Sequence, residues 1–122
     1  MPALPFLYVA PDAHGGRGVF TGSAIPKGTT IELAEVLLLS ATERTIVHKT
    51  SLHDYYFQWD GDQAAIALGY GSLYNHSDEA NAIFELDYDF NHIRFIALRD
   101  INIGEEITTD YRVGDPEMEL WF

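Results

Sequence analysis

Residues 69–82 read GYGSLYNHSDEANA, and their interpretation decides the fold. Asn75, His76 and Ser77 stand together between turn-forming glycines and a second asparagine, Asn81. Taken alone, the stretch suits a loop, a metal site or a cofactor clamp. A lone His beside an Asn is more often a satisfied structural histidine than a ligand. His48, His53 and His92 share no close metal-ligand spacing with His76, so metal is not expected. Ser72 and Ser77 lack the strand-turn-helix elbow or paired base of a nucleophile.

The rest of the chain narrows the choice. Its 122 residues suffice for one domain with its own core, expected over 1–122, and are few for two. With 47% hydrophobic and 13% aromatic residues the composition is that of a globular fold, not a disordered one. The absence of cysteine excludes disulfides and thiolate zinc sites. No apolar run is long enough to cross a bilayer, so no membrane association is expected. MPALPFLYVA lacks a basic start and carries Pro2 and Pro5, which argues against a signal peptide. The sequence leaves the compartment unknown, cytoplasmic or nuclear depending on the host.

Charge is unevenly placed. Residues 1–50 hold four acids and four bases, whereas 51–122 hold 15 acids and three bases, so the net charge of −12 falls in the second part. Direct nucleic-acid binding is therefore disfavoured and a basic polypeptide partner favoured. Solubility alone accounts for such acidity equally well.

Short apolar runs broken by Gly, Pro, Asn and Asp predict a mainly β fold. Strands are expected at 6–9, 18–21, 30–39, 64–67, 82–86, 92–97 and 107–109. The alternation of charge and bulk in 85–90 extends the strand or ribbon pattern there. Helices are expected only at 41–48, with Thr42 as cap, and at 51–56. An internal echo links AIPKGTTI (24–31) with DINIGEEI (100–107): Ile25, Gly28 and Ile31 match Ile101, Gly104 and Ile107. Each reads as a β-corner, with Pro26 second and Gly28 fourth in a type I turn. Two such corners predict folded-over short sheets rather than a sandwich of long strands.

HGGRGVF (14–20) offers glycines through which a ligand approaches the backbone, although such pairs usually mark turns. With no helix following, it is not a dinucleotide fingerprint. GEEITTDY (104–111) is an acidic turn and strand ending in Tyr111, a position that usually serves packing. In order, GRGVF, IPKGTTI, NHS-x-x-x-N and GEEI-x-x-DY resemble the SET-domain family of protein lysine methyltransferases. The resemblance runs from 15 to 111, with 112–122 as a C-terminal flank.

The resemblance implies a β-clip of short sheets with a C-terminal pseudoknot and few short helices, in which the NHS segment meets Tyr111. It implies S-adenosylmethionine as cofactor, bound by Gly16, Arg17, Gly18, Asn75, His76 and Tyr111, with Ser77 and Asn81 bracing the loop. Tyr111 matches the catalytic tyrosine. Methyl transfer needs a neutral amine, and an apolar channel lowers a lysine pKa from ~10.4. The family's aromatic channel implies Tyr55, Tyr70, Tyr74 and Trp121 as its lining here, Tyr55 first. Family members often read RFxNHSCxPN; Ser72, Leu73, Asp78 and Ala80 depart from that pattern, and Asp78 removes a zinc ligand. The chain thus resembles minimal viral or bacterial forms, which leaves a homodimer open. The implied substrate is a basic protein such as a histone tail; a non-histone substrate and a non-catalytic β-clip binding module are the alternatives.

Overall fold

The computed structural model describes residues 3–111. Strands β1 (Leu7–Pro11), β2 (Arg17–Thr21) and β3 (Thr30–Leu39) precede helix α1 (Ala41–Val47). There follow β4 (Tyr56–Gln58), β5 (Ala64–Ala67), β6 (Asn75–His76), β7 (Ala82–Asp87), β8 (His92–Ala97) and β9 (Glu106–Thr109). Their ladders run in the order β1-β2-β9-β7-β8-β3-β5-β4, with β6 added on β9.

Period-2 patterning explains the central strands. In β8, Ile93, Phe95 and Ala97 are buried while Arg94 faces solvent; in β9, Ile107 and Thr109 are buried. The long β3 is shared between two partners. Its first half pairs with β8, through a register shift between Thr30 and Glu32, and its second half with β5. Tyr74 packs on Phe95 with ring centroids 4.5 Å apart, and Phe57 meets Phe84 edge-on at 5.3 Å.

The two echoed corners meet. Ile25 and Ile101 exchange both main-chain hydrogen bonds at 2.8 Å, and all four isoleucines of the echo are buried. The turn differs from the one expected. Thr29 N–H donates to Pro26 O, which makes Pro26 first and Gly28 third, and Gly28 has φ +86°. Gly104, with φ +82°, occupies the same place in 102–105. A third-position positive φ is the requirement of a type II turn.

Other boundaries moved for local reasons. Helix α1 is capped by Ser40, not Thr42: Ser40 Oγ accepts from Glu43 N–H while Glu43 accepts from Ser40 N–H, a capping box. Residues 51–55 form turns in place of the expected helix, since Thr50 Oγ1 takes the Leu52 N–H. The 85–90 pattern holds to Asp87, whose carboxylate then accepts from Asp89 and Phe90 N–H and closes the β7–β8 turn. Strands β4 and β6 were not expected.

The decisive placement is that of β9. It pairs antiparallel with β2 from the start of the chain and parallel with β6 and β7 from its middle. Three stretches distant in sequence therefore converge on β9, β2 at its first two residues and β6 and β7 at its last two.

Candidate active site

The glycine turn forms one wall. Asp12 Oδ1 accepts from the N–H groups of His14 at 3.0 Å and Gly16 at 2.8 Å, closing the loop between β1 and β2. Gly15 carries φ +85°, which suits glycine. Gly18 is required for a different reason. A Cβ there would lie 2.2 Å from Glu106 Oε2 and 2.9 Å from Asn75 Nδ2. The backbone of β2 is thus pressed against the side chains that face it from β6 and β9.

Asn75 is the hub. Its Nδ2 faces Arg17 O at 2.8 Å, Glu106 Oε2 at 2.8 Å and Asp12 Oδ2 at 2.9 Å. His76 is held at both ring nitrogens. Its Nδ1 accepts from Tyr111 N–H at 3.0 Å, and its Nε2 lies 2.9 Å from Asp78. An N–H donor at Nδ1 requires a lone pair there, so the neutral ring carries its proton on Nε2. Asn81 is buried and serves as a side-chain partner for β9: it donates to Glu106 O and accepts from Thr108 N–H, 2.8 and 2.9 Å away. Ser77 N–H donates to Thr109 O. The two polar clusters of 69–82 thus position β9 and Tyr111.

Tyr111 donates its hydroxyl to the carbonyl of Tyr74. Burial first, then the nearby Glu106 carboxylate, Tyr55 and Asp54, push this hydroxyl well above its ordinary pKa of 10. At neutral pH it is therefore a donor, not a base.

A cavity of about 510 Å³ opens beside these groups. Asp12, Gly16, Arg17 and Asn75 line it together with Asp54, Tyr55, Ser72, Leu73 and Tyr111. Of the expected site residues, Gly16, Arg17, Asn75, Tyr111 and Tyr55 thus reach one cavity. Gly18 and His76 are not among its lining residues, although each adjoins one in sequence, Arg17 and Asn75. Tyr74 and Tyr70 have other engagements. Tyr74 is 2% exposed and its hydroxyl donates to Glu32 at 2.7 Å, because a buried carboxylate needs donors. Tyr70 packs against the core and donates to Leu7 O. Trp121 lies outside the described residues.

Asp12 and Asp54 were not singled out from sequence. Asp12, four residues before Gly16, carried an Asx-turn signal; Asp54 carried none beyond its place before Tyr55. Among the described residues, no group of three His, Asp or Glu is placed to hold a metal ion, and no helix is long and apolar enough to cross a membrane.

Comparison with known proteins agrees with this geometry. Residues 16–112 match the SET domain family model. The chain belongs to the SET-domain family. It is 37% identical over 108 residues to the histone-lysine N-methyltransferase, H3 lysine-37 specific, of Schizosaccharomyces pombe, covering 88% of this chain and 70% of that one. A solved Plasmodium falciparum structure, of a protein proposed to be a histone methyltransferase, superposes with a TM-score of 0.67 at 30% identity, covering 86% of this chain and 96% of that one. The SET-type lysine methyltransferase class and the mainly β SET fold expected from the four motifs are both confirmed. Membership implies S-adenosylmethionine as methyl donor.

Proposed function

We propose that this protein transfers methyl groups from S-adenosylmethionine to a lysine of a basic histone tail. One observation carries the reading: Tyr111, Asn75 and the glycine turn, drawn from three distant parts of the sequence, meet at one cavity. Its volume falls within the roughly 300–1,000 Å³ usual for small-molecule sites. The residues present suit this cofactor. The glycine turn leaves backbone close to the cavity, and Asp12 with Glu106 beside Asn75 supplies negative charge for a cationic ligand.

When bound, the cofactor supplies a methyl group activated on a sulfonium. Gly16, Arg17, Gly18, Asn75 and His76 would hold it, the last two through a loop fixed on β9. Tyr111, kept protonated, has its one hydroxyl hydrogen on the Tyr74 carbonyl, so its oxygen is left to orient the reacting groups by accepting a hydrogen bond. Tyr55 and Leu73 make the substrate side of the cavity apolar, which favours the neutral amine of an entering lysine. Asp54 at that side attracts the cationic side chain on its way in.

The histone assignment draws support from the Schizosaccharomyces pombe relative, named for lysine 37 of H3, and from the acidity of 51–122. Labelled methyl transfer to separated core histones and to unrelated basic proteins tests it. Label on a single histone is expected. Label on another basic protein alone would retain the chemistry and discard the histone assignment.

A further inference from the structure

Asp12 lies before the first residue matched by the SET domain family, which begins at 16. It nevertheless bonds to both Gly16 and Asn75, which line the cavity with it. One carboxylate oxygen gathers the N–H groups of His14 and Gly16; the other lies 2.9 Å from Asn75 Nδ2. The main chain of Asp12 closes the same loop, its N–H donating to Gly16 O at 3.1 Å.

The arrangement is over-supplied with acceptors. An amide nitrogen has two hydrogens, yet Asn75 Nδ2 faces Asp12, Glu106 and the Arg17 carbonyl. Two carboxylates thus compete for one neutral donor, and Asp12 lines the cavity itself. A cationic donor arriving there would satisfy the acceptor that Asn75 cannot.

We propose that Asp12 is a cofactor-specificity residue: it fastens the glycine turn to Asn75 and uses its charge to select a ligand bearing an α-ammonium group. The proposal rests on S-adenosylmethionine being the cofactor. It predicts that the methionyl amino group, not only the adenosine, sets affinity.

Calorimetry on the full chain tests this with two ligands: S-adenosylhomocysteine and its analogue lacking the α-amino group. Wild type should prefer the amino-bearing ligand. Asp12→Asn keeps the side-chain shape and removes the charge, so it should weaken that ligand by about tenfold to a hundredfold, the worth of one charge-assisted hydrogen bond. The deaminated analogue should change by less than about threefold. Equal loss for both ligands would overturn the proposal, leaving Asp12 a role in loop shape alone. An unchanged affinity for S-adenosylhomocysteine would overturn it also. Wild type that binds both ligands alike refutes only this inference, whereas wild type that binds neither refutes the cofactor reading with it.

Discussion

The hydroxyl of Tyr111 rests on the main-chain carbonyl of Tyr74, and the hydroxyl of Tyr74 in turn donates to Glu32 at 2.7 Å. Glu32 also accepts from Tyr70 N–H at 3.0 Å. A buried carboxylate on β3 therefore holds the segment against which Tyr111, the proposed catalytic residue, leans.

Glu32 makes stability depend on pH. Burial raises its pKa above the ordinary 4.5, and the hydrogen bonds from Tyr74 and Tyr70 offset only part of that. A carboxyl with a raised folded-state pKa favours folding below its ordinary value, and that contribution is lost as pH rises through the raised one. Stability of wild type minus Glu32→Gln, from urea unfolding, should therefore fall as pH rises above 4.5. A difference that rises over this window would mean that the ionised form is the better accommodated.

Gly18 and Gly28 should respond differently to alanine. At Gly18 the new Cβ would sit 2.2 Å from Glu106 Oε2, so the carboxylate must move and loosen Asn75. Cofactor affinity should drop at least about tenfold, with about 1–3 kcal/mol lost from stability. At Gly28 the space is open but φ is +86°, so about 1 kcal/mol is lost with cofactor affinity intact. Calorimetry and thermal unfolding of both variants decide; equal effects on binding would remove the special role of Gly18.

Asn81→Ala removes the side chain that pairs with Glu106 O and Thr108 N–H in the interior. Leaving those groups unsatisfied should cost about 1–3 kcal/mol each. Activity should fall with stability because Tyr111 lies two residues beyond the end of β9. Full activity in a destabilised Asn81→Ala would separate the two.

The 15 acids of 51–122 predict recruitment by charge. Raising ionic strength from about 0.05 to 0.3 M should raise the peptide KM severalfold and leave cofactor affinity nearly unchanged, since surface charges are screened beyond ~10 Å. A peptide KM insensitive to salt would contradict this.

What could be read from the sequence was what local patterns determine. Short apolar runs bounded by turn residues revealed β3 and β8, and the Ile-x-x-Gly-x-x-Ile echo revealed two corners that prove to bond to each other. Strand β6 is two residues long and exists through its parallel pairing with β9, some thirty residues on, so no local signal marks it. The aromatic residues show the same limit. Tyr55 reaches the cavity while Tyr70 and Tyr74 turn toward Leu7 O and Glu32, a choice made by loop geometry and by the needs of a buried carboxylate. Asp12 was hidden because its role depends on Asn75, 63 residues away.

The most direct test is labelled methyl transfer from S-adenosylmethionine to core histones by wild type and Tyr111→Phe, with cofactor affinity measured in parallel. The variant should bind cofactor within about threefold of wild type and lose roughly a hundredfold in transfer rate, as expected when a positioning hydroxyl is removed. Transfer by Tyr111→Phe at the wild-type rate would contradict the account of this site.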